Sequence, residues 1–206
     1  MNLAPIRVLF DIKAADNEGH SYPIGVNLGV GGDGEKGEIL RLHGWPLWWQ
    51  ANVYAAAVAR IVASFFGSGL VLGRMRGNDA GSGTIAALLA LGISFLLQPV
   101  WGRIAAFAVT FVFGYWAVNH FRFEHDDPGW VVVDEAAGLF LATIGLGVTG
   151  VLVGFVVFRI ADIGKNLAPG VAGAERLPGA LGIMADDVVA GIYGLGAGWV
   201  AQILFA

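Results

Sequence analysis

The sequence predicts an all-α polytopic membrane protein of short transmembrane helices, including a broken, turned-back helix pair, with a small N-terminal β extension. Three observations lead there. Hydrophobic residues make up 56% of the 206 and charged residues only 14%, against roughly a quarter in soluble domains, and the mean hydropathy is +0.68. From Ile85 onward, apolar runs alternate with breaks rich in Gly, Pro or charge, and most are shorter than the ~20 residues that span a bilayer as a straight helix. The first 45 residues differ, alternating polar and apolar as half-exposed strands do.

Composition also excludes chemistries. The absence of cysteine removes thiolate catalysis, disulfides and cysteine-based zinc sites together. A net charge of −4 offers no concentrated basic surface for nucleic acid. Met1–Phe10 has no basic region followed by an apolar core, so no cleavable signal peptide is expected and the chain should enter the membrane through internal segments.

Taken in order, residues 1–50 form the β-rich surface extension and 51–206 the membrane-embedded domain. Ile6, Val8, Phe10 and Ile12 mark one strand, Tyr22–Leu28 a second and Glu38–Leu42 a third, with turns at Asp16–Gly19 and Gly31–Gly34. Gly29-x-Gly31-x-x-Gly34 matches a dinucleotide-binding pattern formally, but no helix follows it and the chain is glycine-rich, so it carries no weight. Trp45, Trp48 and Trp49 suit the headgroup belt of a membrane, or else a soluble aromatic patch. Asn52–Phe66 is Ala-rich with Arg60 at its middle and reads as an interfacial helix. The loop Gly73–Thr84, with Arg74, Arg76, Ser82 and Thr84, either cradles a phosphate together with Ser68 or is simply mobile.

Ile85–Leu97 and Ile104–Asn119, separated by the Pro99 break, form a hairpin of short spanning helices. Basic residues flank it at Arg74, Arg76 and Arg122, which places those flanks in the cytoplasm. Ala136–Phe158 is long enough to span once, yet three glycines fall in the six residues Gly145–Gly150. A break there turns the chain back, which is tolerated at membrane depth where protein buries the backbone. Asp134-Glu135 and Arg159–Asp162 then face the same side. Gly164–Ala185 reads as a loop and Val188–Phe205 as the last helix, with Asp186-Asp187 just before it.

Each acidic cluster has an ordinary explanation by itself. Arg159, Asp162 and Lys165 are spaced as a salt-bridge ladder, Asp186-Asp187 as an N-cap and Asp134-Glu135 as a polar rim. On one face, however, Asp134, Glu135, Asp162, Asp186 and Asp187 supply hard oxygen ligands for Mg²⁺, and Arg159 and Lys165 supply cations for a phosphate, with Ser68, Ser82 and Thr84 alongside. That inventory suits phosphoryl chemistry, with Asp134, Glu135, Asp162 and Asp187 as the catalytic acids. No histidine completes a Ser-His-Asp set, and His120 and His125 lack the spacing of a zinc motif.

Four blocks in order then resemble the phosphatidylglycerophosphatase A family: Phe66-Gly67-Ser68-Gly69; His125-Asp126-Asp127-Pro128-Gly129 with Asp134-Glu135; Phe158-Arg159-x-x-Asp162-Ile163-x-Lys165; and Gly182-Ile183-Met184-x-Asp186-Asp187-x-x-Ala190-Gly191. The resemblance covers about residues 60–206. It implies a Mg²⁺-dependent phosphatase of the bacterial inner membrane, multi-pass and with its site on the cytoplasmic face, converting phosphatidylglycerophosphate to phosphatidylglycerol and phosphate. The implied partners are the phospholipid substrate and the membrane, without nucleic acid, and a homo-oligomer is left open. The chain departs from the family pattern at Asp79–Thr84, at Asn166-Leu167 and at Pro178-Gly179-Ala180. Alternative functions are a cation-binding membrane protein or small transporter, whose acids would lie near mid-membrane, and a family member that has lost catalysis.

Overall fold

The computed structural model describes residues 9–15, 21–27, 47–76, 78, 80–97, 99–121 and 128–205. Two compact units divide the chain, Met1–Val58 and Ala59–Ala206. In the first, β1 (Leu9–Ala15) pairs antiparallel with β2 (Ser21–Asn27), Ile12 opposite Ile24. An isolated two-stranded hairpin is marginal in water, so this ladder does not support the expected β-rich extension. The third expected strand and Trp45 lie outside the described residues.

The second unit is helical. Helix α1 (Leu47–Ala63) runs across the boundary into it, and α2 (Ser68–Arg76), α3 (Ser82–Leu96), α4 (Val100–Phe121), α5 (Val133–Ala142), α6 (Val148–Ile163), α7 (Val171–Glu175) and α8 (Ala180–Phe205) follow. Helices α4 and α8 are long and apolar enough to cross a bilayer, and protein covers only a minor part of either. Exposed Val109, Val112, Phe113, Ile192, Val200 and Ile203 give them the apolar surface that lipid would contact.

The expected hairpin is present as α3 and α4, and the expected break lies between α5 and α6, at Thr143–Gly147. Gly145 takes φ +72, a left-handed conformation that costs other residues energy, and a Cβ there would press on the Trp199 ring. Close helix approach does the rest. A Cβ on Gly194 of α8 would fall 2.7 Å from Gly154 O of α6, so only glycine lets these backbones touch, as small residues do in membrane interfaces.

A reversal inside an apolar bundle leaves helix-end carbonyls without partners, and each buried unsatisfied carbonyl costs about 1–3 kcal/mol. Arg103, only 4% exposed in the first turn of α4, meets that need. Its Nε donates to Ser94 O (3.0 Å) and Leu97 O (3.1 Å) at the end of α3, and its Nη1 to Thr143 O (2.7 Å) and Leu146 O (2.6 Å) in the break. The Ser94 and Thr143 hydroxyls join at 3.1 Å beside it.

Three expectations are corrected. Residues 164–185 are not one loop: α7 lies within them, and α8 begins at Ala180, immediately after Pro178-Gly179, because Ala180–Ala185 contains good helix formers. Asp186-Asp187 therefore sits two turns inside α8 and caps nothing. The stretch from Gly73 is not all loop either, since Leu70, Leu72, Arg74 and Arg76 continue α2 to Arg76. Helix α1 begins at Leu47 and stops at Ala63, where Phe65 (φ +44) and Phe66 (φ +58) turn the chain. Helix α5 starts at Val133, so Asp134 and Glu135 stand in its first turn, at the rim of that helix.

Replacing Arg103 by alanine should lower stability by at least about 3 kcal/mol, because several buried carbonyls lose their donor at once. Thermal unfolding in detergent checks this: a midpoint several degrees lower is expected, with partial recovery in Arg103→Lys, and an unchanged midpoint contradicts the role.

Candidate metal and phosphate site

Three segments converge at the end of the bundle opposite Arg103. Val132 N donates to Ala63 O at 2.9 Å, which fixes where α5 begins and sets Asp134 and Glu135 in its first turn. Acids there are favoured by the positive end of the helix dipole. Asp187 arrives from α8. One oxygen from each of Asp134, Glu135 and Asp187 lies within 4.8 Å of the others. Asp134 and Asp187 are each 3% exposed. Glu135 Oε2 and Asp187 Oδ1 are enclosed with no protein donor.

Helix α3 closes the third side. Gly81, at φ +89, starts it without a side-chain cap, and Gly83 then packs so tightly on Glu135 that a Cβ would overlap Oε1. Ser82 is 1% exposed and its Oγ has no hydrogen-bond partner. Enclosed carboxylate oxygens this close together repel one another and cost several kcal/mol unless a cation or proton neutralises them. Hard oxygen donors from three carboxylates fit a divalent cation of the Mg²⁺ or Ca²⁺ kind.

Around this centre stand two ion pairs. Arg159, in the last turns of α6, binds Asp162 through Nη1 and donates from Nη2 to Thr84 Oγ1 at 3.1 Å. Lys165, just past α6, reaches Asp186 Oδ2 at 2.8 Å and Glu175 Oε1 at 2.7 Å. Partial burial pulls the Lys165 pKa down, but hydrogen bonds and charge from Asp186 and Glu175 outweigh it, so the net displacement is upward and the ammonium stays protonated at neutral pH.

The structure thus brings Asp134, Glu135 and Asp187 together, and gives Asp162 and Asp186 to cations instead. Thr84 joins through Arg159, and Ser82 stands beside Gly83. Ser68 is engaged locally, its hydroxyl donating to Ser64 O at 3.2 Å. His120 is exposed between the Trp116 and Phe121 rings, and His125, Asp126 and Asp127 lie outside the described residues, as do the side chains of Arg74 and Arg76. Sequence reading missed Glu175 and the need for Gly83. No periodicity links Glu175 to Lys165 ten positions earlier. Gly83 stood among many glycines with nothing to single it out.

Comparison with known proteins identifies the family. The model of a family described as phosphatidylglycerophosphatase A matches residues 61–202, which span every residue of the site. A Bacteroides thetaiotaomicron protein named "Putative phosphatidylinositol-3-phosphatase" is 36% identical over 149 residues, covering 65% of this chain and 86% of that protein. No solved structure matches.

Gly83→Ala should push Glu135 out of the cluster and weaken divalent-cation binding by about 10- to 100-fold, with little loss of folding. Calorimetric titration with Mg²⁺, paired with thermal unfolding, checks it. Unchanged affinity in a folded variant removes Glu135 from the ligand set.

Proposed function

The chain belongs to the phosphatidylglycerophosphatase A family, and on that footing we propose that it is a Mg²⁺-dependent phosphatase converting phosphatidylglycerophosphate to phosphatidylglycerol and phosphate. The observation that carries the proposal is the convergence of Asp134, Glu135 and Asp187, with Glu135 Oε2 and Asp187 Oδ1 enclosed and without a protein donor, inside the matched region. Asp134, Glu135 and Asp187 would hold the ion, and Asp162 and Asp186 extend the acidic set on its flank. When bound, Mg²⁺ would supply Lewis-acid polarisation of the phosphoryl oxygens or of water.

The protein's own groups account for the remainder. Arg159 donates to Thr84 Oγ1, next to Gly83 whose backbone packs on Glu135, so it stands beside the cluster where an incoming phosphoryl dianion needs a counter-charge. Asp162 and Thr84 hold its two terminal nitrogens, which orients the guanidinium before substrate arrives. Lys165 is a second cation, kept protonated by its carboxylates. Ser82 Oγ is an uncommitted hydroxyl beside the cluster and serves as a phosphate donor, with Ser68 at the start of the preceding helix. Glu135 or Asp187, each with an oxygen that has no protein donor, would take the proton of the attacking water.

Location follows from charge. Arg159, Lys165 and Arg176 lie toward the end of the bundle that carries the site, joined in sequence by Arg74, Arg76 and Arg122, which supports a multi-pass protein of the bacterial inner membrane with its site in the cytoplasm. The name of the Bacteroides relative supports a second reading, in which the polyol bearing the phosphomonoester is inositol.

Inorganic phosphate release from phosphatidylglycerophosphate by detergent-purified protein, with Mg²⁺ and with chelator, tests the proposal. Mg²⁺-dependent release is expected, and Asp134→Asn and Asp187→Asn should each lower it at least about 100-fold while remaining folded. Full activity in either variant, or none in the folded wild type, defeats the assignment.

A further inference from the structure

Beside the site, where α6 ends and α7 lies, is a cavity of about 570 Å³ lined by Ile163, Lys165, Asn166, Leu167, Glu175 and Arg176, among others. That size is within the range of small-molecule sites, roughly 300–1,000 Å³. Its walls are of two kinds. Lys165, Asn166, Glu175 and Arg176 are polar, while Ile163 and Leu167 are apolar and 72% and 75% exposed. Such a surface suits an amphiphile whose polar headgroup joins an acyl-bearing part.

The cavity connects to the carboxylate trio through a short chain of contacts. Lys165 on its wall binds Asp186 Oδ2 at 2.8 Å, and the next residue is Asp187 of the trio. Lys165 is already balanced by two carboxylates, Asp186 and Glu175. Arg176, exposed at the end of α7, makes no ion pair or side-chain hydrogen bond among the described residues. It is therefore the cavity's uncompensated cation, and its planar fork matches the two free oxygens of a phosphodiester.

We propose that this cavity receives the non-reacting part of the headgroup, a polyol joined to the lipid through a phosphodiester, and that Arg176 is the specificity-determining residue that binds the diester. The inference rests on the phosphatase reading above. It goes further by requiring a phosphodiester in the substrate in addition to the phosphomonoester that is cleaved. Both phosphatidylglycerophosphate and a phosphorylated phosphatidylinositol meet that requirement, whereas phosphatidic acid, a monoester lipid without a diester, does not.

The test compares kcat and KM for phosphatidylglycerophosphate and phosphatidic acid in the same detergent micelles, with soluble glycerol 3-phosphate as a third substrate. In Arg176→Glu, KM for phosphatidylglycerophosphate should rise at least about tenfold with kcat within about twofold, as the loss of a charge-assisted forked contact to the diester predicts. KM for phosphatidic acid should hold, and Arg176→Lys should recover part of the loss. Equal shifts for both lipids, no shift for either, or a comparable shift for glycerol 3-phosphate, which would mean that Arg176 binds the reacting or free phosphate, each overturn the inference. If the wild type hydrolyses none of the three, the phosphatase reading itself falls and the subsite with it. If it hydrolyses them and Arg176 changes nothing, only the subsite falls.

Discussion

The fold depends on one buried guanidinium. A chain that reverses inside an apolar layer exposes carbonyls that neither water nor its own helix can satisfy. Arg103 answers for the end of α3 and for the α5–α6 break at once, with four contacts of 2.6–3.1 Å from two nitrogens. Because the two helix pairs share one donor, their reversals are fixed at the same depth. Their other ends are then brought level, and those ends carry Gly83, Asp134, Glu135 and Arg159.

Helix α8 connects the two levels. Gln202 near its end accepts a hydrogen bond from Gly147 N in the break, and Asp187 lies 15 residues earlier, about 22 Å up the axis at 1.5 Å per residue. Glycines at the α6–α8 contact bring the backbones together, as Gly154 and Gly194 do. A bulkier residue there would hold α8 away from α6, and Asp187 with it. The apolar packing at mid-depth thus sets the separation of the carboxylates at the surface.

Two kinds of carboxylate share the site, and their partners separate them. Asp162 and Asp186 each face a cation held in place by a second group, Thr84 for Arg159 and Glu175 for Lys165. In the trio, Glu135 Oε2 and Asp187 Oδ1 are left with no protein donor. The paired acids are electrostatically settled, while the trio is not. That imbalance makes the trio the centre able to hold a divalent cation.

Much of this was legible from residue order. Membrane character followed from composition, the α3–α4 hairpin from Pro99, the break from the Gly145–Gly150 glycines, and the acidic residues from their rarity in an apolar chain. Helix limits were less so, because Pro178-Gly179 reads equally as loop or as the start of α8, and Leu70–Leu72 was too short a run to show α2 against nearby glycines. By itself the sequence determined which groups gather at one face, since unpaired carboxylates are costly in hydrocarbon and a glycine break allows the chain to return. Only the tertiary structure decided which of them remain unpaired. That depends on distances between α3, α5, α6 and α8, which are set by backbone contact at glycines and by the Arg103 clamp, and no local pattern encodes a distance between segments far apart in the chain.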